Sequence, residues 1–128
     1  PLAMADKKLP GIATEDIGKA ALGIFKRGDE MVGKTVSIAG EALTGNDMAA
    51  KLSKALGEEV TYVPVPHDVW RSFDVPGAED MGNMFQFKVE FEKDFVGARD
   101  LKTARELNPE LKTFDEWLAE NKDGIQVD

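Results

Sequence analysis

The sequence TEDIGKAALGIFKRG, which runs from Thr14 to Gly28, contains the start, the body and the end of one helix. Thr14 is a residue type that caps helices, acids follow it in the first turn, and Gly28 is typical of the position after the last turn. An apolar stripe with helical spacing predicts the buried face. This stripe consists of Ile17, Ala20, Ala21, Ile24 and Phe25. We therefore predict a helix over residues 14–27 that packs through the stripe.

The segments that follow alternate between strand and helix patterns. Residues 35–39 and 60–65 are rich in β-branched side chains and predict two short strands. Between them, Thr44 and Asp47 form a capping-box pattern and Gly57 follows the last apolar position, which predicts a helix. Two strands joined by a helix usually pair in parallel through a right-handed crossover. The first half therefore predicts an α/β fold with a few short parallel strands.

The ends of this unit and the second half of the chain have weaker patterns. Residues 1–13 predict an extended lead-in, in which only Leu9 and Ile12 are suited to burial. A short helical pattern follows Pro66, and another covers residues 98–107. A full capping box over residues 113–116 opens the last helix. Residues 78–92 are ambiguous, because their aromatic residues alternate as in a strand while their methionines also fit one helix face, and the pattern alone favours a strand.

The composition describes an acidic globular chain. The 128 residues include 24 Asp and Glu against 16 Lys and Arg, so the formal net charge is −8. Because the chain has no Cys and a single His, thiolate metal sites, cysteine nucleophiles and histidine clusters are excluded. The excess of acid argues against a nucleic-acid partner, and no apolar run reaches the roughly 18 residues of a membrane span. We expect a cytoplasmic protein that binds neither nucleic acid nor membrane.

Residues 28–35, GDEMVGKT, match the G-x-x-x-x-G-K-[ST] pattern of phosphate-binding loops. Such a loop follows a strand and precedes a helix, whereas the order predicted here is the reverse. Asp29 and Glu30 also stand where phosphates need positive charge. We predict a turn between a helix and a strand, with Gly28 and Gly33 in conformations that favour glycine.

Two residues are candidates for proton transfer. Tyr62 is the only tyrosine, but the residue four positions later is Pro66 rather than the Lys of a short-chain dehydrogenase. His67, beside Asp68, fits a general base held by a carboxylate. Structural roles fit as well, for Tyr62 at the core or its rim and for His67 as a helix cap, and we favour those roles. We name no catalytic residue, no cofactor-binding residue and no metal ligand.

Most of the aromatic residues lie between positions 70 and 95. They belong either to a hydrophobic core, the reading we favour, or to an apolar pocket or partner groove. The cluster consists of Trp70, Phe73, Phe85, Phe87, Phe91 and Phe95, together with Met81 and Met84.

Five motifs follow one another along the chain with a distinctive order and spacing. They are KLPGIA at 8–13 with TEDIG at 14–18, VGK at 32–34, NMFQF at 83–87, LNPE at 107–110 and TFDEWL at 113–118. Together they resemble the NmrA-like family of atypical short-chain dehydrogenases/reductases. The resemblance covers nearly the whole chain, although no single motif is diagnostic.

The resemblance implies that residues 1–128 form one segment, the helix-rich, substrate-side C-terminal part of such a protein. Residues 1–13 would lead in from a Rossmann portion that binds NADP(H) through a Gly-rich turn. This sequence has no such turn, so the chain alone is not expected to bind a dinucleotide. The missing Rossmann half is thus its first expected partner.

The resemblance also implies a helix over residues 83–87 and a cleft faced by Met84, Phe85 and Phe87. With Trp70 from the aromatic cluster, these three are the substrate-pocket candidates. The parent protein would be an oxidoreductase acting on a small conjugated substrate or a redox-sensing regulator, and this part alone would be inactive. A protein partner or a second copy fits as well. The alternative is a stand-alone acidic interaction module with an aromatic binding face.

Overall fold

The computed structural model describes residues 2–127 and is rich in helix. In that range two short strands, β1 (Leu9–Gly11) and β2 (Glu41–Leu43), form a two-stranded sheet. The helices are α1 (Thr14–Arg27), α2 (Gly45–Leu56), α3 (His67–Arg71), α4 (Ala78–Glu90), α5 (Glu92–Gly97), α6 (Leu101–Leu107) and α7 (Phe114–Asn121). Two 3-10 turns cover Gly28–Met31 and Lys122–Gly124. Within the described residues, none of the helices has the length and apolarity needed to cross a bilayer.

The first compact unit, unit 1, is built from the described residues up to Leu9 and from Leu43–Gly97. Its core contains Ala3, Met4, Trp70 and Phe85, all buried. The ring of Trp70 meets the rings of Phe73 and Phe85 edge-on, each with a centroid distance of 5.3 Å. Such edge-to-face pairs stabilise a core beyond the area that they bury. The core therefore joins α3, α4 and the beginning of the chain.

The lead-in is more deeply packed than its sequence predicts. Ala3 and Met4 are fully buried, whereas Leu9 and Ile12, the residues expected to be buried, are only half-buried. The prediction was wrong because small and flexible side chains fill the space that the α3 and α4 aromatic residues leave, which a local pattern does not show. Leu2 also forms an isolated parallel bridge with Pro64.

The second compact unit, unit 2, is built from Pro10–Ala42 and from Ala98 onward. Helix α1 packs on α6 so closely that a Cβ at Gly23 would collide with the carbonyl oxygen of Leu107. Small side chains make this approach possible, because the helix backbones then come within van der Waals contact. The buried apolar residues of unit 2 are Ala20, Ala39, Ala104, Leu107, Leu111 and Leu118.

A buried carboxylate connects α1 to the loop before α7. Asp16 is completely buried, and its two oxygens accept hydrogen bonds from the Asn108 side-chain amide at 3.0 Å and from the Lys112 backbone N–H at 2.9 Å. The Lys112 ammonium group reaches outward to Glu120 at 2.6 Å and to Glu15 at 3.0 Å. The hydrogen bond to Glu120, followed by the one to Glu15, raises the pKa of Lys112 above its ordinary value.

The range predicted for α1 is confirmed, but its N-cap is Ala13 instead of Thr14, and of its predicted buried stripe only Ala20 is buried. Ile17 is 48% exposed and Phe25 is 80% exposed, whereas Asp16 and Ala20 face the core of unit 2. The hydrogen bonds of Asp16 and the close approach at Gly23 decide which side of the helix is buried, and they outweigh the apolar stripe.

Both predicted strands are absent from the described residues. Residues 35–39 are irregular, and the pairing strand β2 begins at Glu41 instead. Residues 60–65 form only the isolated bridge at Pro64, because the Val60 backbone N–H donates to the Ser53 hydroxyl rather than to a neighbouring strand. A run of β-branched residues becomes a strand only where a partner strand accepts its hydrogen bonds. The prediction that residues 35–39 and 60–65 pair as parallel strands is therefore wrong.

The helix signals were more reliable than the strand signals. The capping boxes of α2, at Thr44 and Asp47, and of α7, at Thr113 and Glu116, are both formed. The ambiguous region is helical, as the family resemblance implied, and it forms α4. Helix α6 begins at Leu101 instead of Ala98, because the Asp100 side chain caps its first turn.

Candidate functional site

Trp70 and Phe85, two of the four pocket candidates, lie in the core of unit 1. They are 7% and 6% exposed, and their rings contact each other. Helix α4 brings Phe85 inward because Ala78, Gly82 and Phe85 recur at helical spacing and pack on α3. Trp70 and Phe85 therefore pack inside the core of unit 1 and offer little surface to a ligand.

Met84 and Phe87, the other two candidates, lie on a different side of α4. Met84 is 37% exposed and Phe87 is 52% exposed. Phe91, four residues after Phe87 and on the same side, is 48% exposed. The rings of Phe87 and Phe91 are stacked with centroids 5.0 Å apart, and Phe95 meets Phe87 edge-on at 6.4 Å. We call the surface formed by Met84, Phe87, Phe91 and Phe95 the aromatic face.

A positive charge borders the aromatic face. The Lys88 ammonium nitrogen lies 5.3 Å from the ring centroid of Phe95 and 5.9 Å from that of Phe85. Both distances are within the range of cation–π attraction, which the ring faces supply. Lys88 thus lies over one ring of the aromatic face and one ring of the unit 1 core.

A second surface feature of unit 1 lies beside α3. The Arg71 guanidinium donates to Asp68 at 2.5 Å, to Gln86 at 2.9 Å and to Asn83 at 3.1 Å. It borders an open groove of about 570 Å³ whose other walls include Phe73 and the first turn of α4. Sequence reasoning did not single out Arg71, since its partners come from two helices.

The candidates for proton transfer are engaged elsewhere. The Tyr62 hydroxyl accepts from the Met4 backbone N–H at 3.2 Å and donates to the Leu2 carbonyl at 3.4 Å. His67 Nε2 donates to the Ala3 carbonyl oxygen at 3.0 Å, so its predicted role as a helix cap is wrong. Both side chains hold the lead-in in place and do not form part of the aromatic face. Within residues 2–127, no group of three or more His, Cys, Asp or Glu side chains has the arrangement of a metal site.

Within residues 2–127, the loop at 28–35 and the starts of α1 and α2 differ from a phosphate-binding turn. Gly28 and Gly33 both have positive φ, as predicted, but a 3-10 turn and an irregular segment follow α1, so no helix N-terminus faces this loop. Two helices do follow strands closely. Acids occupy the first turn of each, at Glu15 and Asp16 in α1 and at Asp47 in α2, where a phosphate would need free N–H groups.

Comparison with known families explains this combination of features. The model of the NmrA-like family matches residues 1–118. The chain belongs to the NmrA-like family. The match covers all four pocket candidates and both capping boxes, so the family assignment covers the aromatic face.

Solved structures agree with the family assignment. The NmrA-like chain matches NmrA, a negative transcriptional regulator solved in complex with NAD, with a TM-score of 0.71 and 25% identity. The same regulator in complex with NADP gives a TM-score of 0.70 and 25% identity. A nucleoside-diphosphate-sugar epimerase from Staphylococcus aureus gives a TM-score of 0.74 at 22% identity, which shows the fold alone.

The NmrA-like chain corresponds to less than half of these proteins. The match covers 98% of this chain but 44% of the regulator, and 92% of this chain but 42% of the epimerase. The regulator's nucleotide complexes therefore describe a longer protein.

Proposed function

We propose that this chain is the substrate-side part of an NADP(H)-linked NmrA-like protein, and that its aromatic face binds a small conjugated ligand. The observation that carries the proposal is the contact of the exposed rings of Phe87 and Phe91 with the half-buried ring of Phe95, on the same surface as Met84. Flat conjugated molecules stack on such rings, and a methionine adapts to their outline. The family assignment and the nucleotide complexes of the NmrA regulator support the link to NADP(H).

The contribution of this chain is binding and exclusion of water. Trp70 and Phe85 fix the position of α4 from the core of unit 1, so the aromatic face is a rigid surface. The aromatic face contains no side chain that exchanges protons, which argues for orientation of a ligand rather than acid–base chemistry. The dinucleotide would be held by a nucleotide-binding half, since the turns of this chain are poorly suited to it.

The test of the aromatic face uses 1,4-naphthoquinone as the probe and the quenching of tryptophan fluorescence as the readout. We expect saturable binding to the 128-residue chain and at least a fivefold loss of affinity in Phe87→Ala. Phe25→Ala is the matched control, because it removes an exposed phenylalanine from unit 2. Equal affinities in Phe87→Ala and the unaltered chain would contradict the proposal.

The link to NADP(H) needs a second measurement. We expect no NADPH binding by calorimetry to the chain alone, and binding once the chain is joined behind the nucleotide-binding half of the NmrA regulator. Oxidation of NADPH by the joined protein with naphthoquinone would identify an oxidoreductase, and binding without turnover would identify a regulator. Tight NADPH binding to the chain alone would overturn the division of roles.

A second candidate function is an acidic interaction module that uses the aromatic face for a protein partner. The net charge of −8 and the exposure of Phe87 and Phe91 favour it, because aromatic residues on a polar surface are typical of interfaces. Failure of the quinone to bind would leave this candidate as the better explanation.

A further inference from the structure

Helix α1 presents much of its apolar stripe to solvent, although Ala20 is buried and Ile24 is half-buried. Ile17, Leu22 and Phe25 are 48%, 52% and 80% exposed, and Ala21 is exposed between them. These residues lie on one side of the helix, which we call the α1 face together with Gly18. An apolar surface of this kind on a globular protein marks an interaction site.

The orientation of α1 is locked, so the α1 face cannot turn inward. On the opposite side, Asp16 is held by two hydrogen bonds, and Gly23 lies against the Leu107 backbone. Rotation of the helix would break both hydrogen bonds to a buried carboxylate, at a cost that the burial of one or two apolar side chains does not repay. The exposure of the α1 face therefore follows from the way α1 packs within unit 2.

Gly18 has no explanation within the chain. A Cβ at this position would meet nothing within 4 Å, and its φ lies outside the positive range. Glycine inside a helix costs about 1 kcal/mol relative to alanine, so an interior glycine without a contact is unusual. Because Gly18 has no side chain, it leaves a hollow on the α1 face, about two helical turns before the exposed ring of Phe25.

We propose that the α1 face binds the same face of a second copy of this chain, with the two α1 helices antiparallel. In this arrangement Phe25 of one copy fills the hollow at Gly18 of the other, and Leu22 packs beside Ala21. A twofold axis makes both contacts twice, as a self-complementary interface requires. The proposal does not depend on the function of the aromatic face.

The charges of α1 favour this direction of pairing. Glu15 lies in the first turn and Lys26 in the last turn, so antiparallel helices bring the acid of each copy toward the base of the other. A parallel pair would place like charges together, which is unfavourable. In the antiparallel pair, the positive end of each helix dipole also lies beside the negative end of the other, which is favourable.

The first test measures the oligomeric state of the chain by sedimentation equilibrium over a range of concentrations. We expect a reversible dimer, with at least tenfold weaker association in Phe25→Ala and in Gly18→Leu. Val63→Ala, which alters an exposed apolar residue of unit 1 outside the aromatic face, is expected to dimerise like the unaltered chain. Gly18→Leu is expected to melt no lower than the unaltered chain at low concentration, since leucine favours helix and meets no clash there.

The second test determines the direction of pairing by oxidative cross-linking, which is simple because the chain has no cysteine of its own. Ala21→Cys lies near the proposed twofold axis and is expected to form a covalent dimer. Thr14→Cys lies at the helix start and is expected to stay monomeric under the same conditions. Equal cross-linking through Thr14→Cys would overturn the antiparallel arrangement. A chain that is monomeric at every concentration would overturn the dimer and leave the α1 face to another occupant, such as a nucleotide-binding half.

Discussion

At the scale of single residues, Asp16 shows how a buried charge can order a loop. Its carboxylate is completely buried and receives two hydrogen bonds from residues more than ninety positions later in the chain. Asn108, which donates one of them, is itself buried and accepts from the Glu110 backbone N–H at 3.1 Å. The pair therefore connects α1 to the loop before α7.

We expect Asp16→Ala to lower the free energy of unfolding by about 2–4 kcal/mol, because Asn108 and the Lys112 N–H would be left buried without their acceptor. Urea unfolding followed by circular dichroism measures the change. Asp29→Ala, in the exposed 3-10 turn after α1, is the control and should stay within about 0.5 kcal/mol. Similar losses in both variants would show that the buried carboxylate is unimportant.

Replacing each of the two interior glycines of α1 by alanine is expected to change the free energy of unfolding in opposite directions. Gly23→Ala places a Cβ against the Leu107 carbonyl, so we expect a loss of about 1–3 kcal/mol from overpacking. Gly18→Ala meets no atom and should stabilise the monomer by about 0.5–1 kcal/mol. Thermal unfolding at low protein concentration compares them, and a loss in Gly18→Ala would contradict the structure.

The pocket candidates show how far residue types alone can locate a site. The sequence identifies Trp70, Met84, Phe85 and Phe87 as one apolar group, but the helix places two of them in the core and two on the surface. Which side of α4 is buried depends on the neighbouring α3, whose position is not encoded in the local pattern. The role of the four residues as a substrate pocket stays a prediction.

At the scale of elements, the helix ends follow directly from their sequences. In α2 the Thr44 hydroxyl accepts from the Asp47 N–H, and the Asp47 carboxylate accepts from the Thr44 N–H at 3.0 Å. All the atoms involved lie within four residues, so the local sequence contains the whole interaction. The strands differ, because their partners lie elsewhere in the chain.

The capping box of α2 predicts a dependence on pH. The hydrogen bond from the Thr44 N–H, helped by the Thr44 hydroxyl, lowers the pKa of Asp47 below its ordinary value of 3.8. A lowered pKa in the folded state contributes stability that is present above 3.8 and is lost as the pH falls through the lower, folded-state value. Asp47→Asn should therefore be less stable than the unaltered chain near neutral pH, and the difference should narrow in acid. Urea midpoints across the acid range test this.

A matched control separates this effect from general acid sensitivity. Asp29→Asn removes an acid of the same type from an exposed turn. The stability difference between this variant and the unaltered chain should therefore depend much less on pH. If the stability difference between Asp47→Asn and the unaltered chain stays constant from neutral pH to strong acid, the prediction is contradicted.

At the scale of the whole molecule, the beginning of the chain belongs to the core of unit 1. Ala3 and Met4 are fully buried, and Tyr62 and His67 bind the backbone of residues 2–4. The Lys8 backbone N–H donates to the Glu92 carboxylate at 2.7 Å, which extends the connection to α5. The lead-in up to Leu9 is thus a structural element of unit 1.

We expect removal of residues 1–8 to unfold unit 1, because the loss of Met4 alone would cost about 2–5 kcal/mol. Near-ultraviolet circular dichroism of Trp70 and far-ultraviolet helix content measure the loss. Removal of residues 126–128 is the control, since Gln126 and Val127 are exposed. A shortened chain that keeps its near-ultraviolet signal would show that the lead-in is dispensable.

The sequence by itself determined the ends of α2, the start of α7, the two capping boxes, the glycine turns and the membership of the NmrA-like family, because these depend on residues close together in the chain or on the order of motifs. Only the tertiary structure decided which side of α1 and of α4 is buried, how the lead-in packs, and where the strands form. Those outcomes depend on hydrogen bonds and contacts between distant segments, such as Asp16 with Asn108. When a distant partner satisfies a buried polar group, it can outweigh the burial that an apolar pattern predicts, and for that reason Ile17 and Phe25 of the α1 stripe remain exposed.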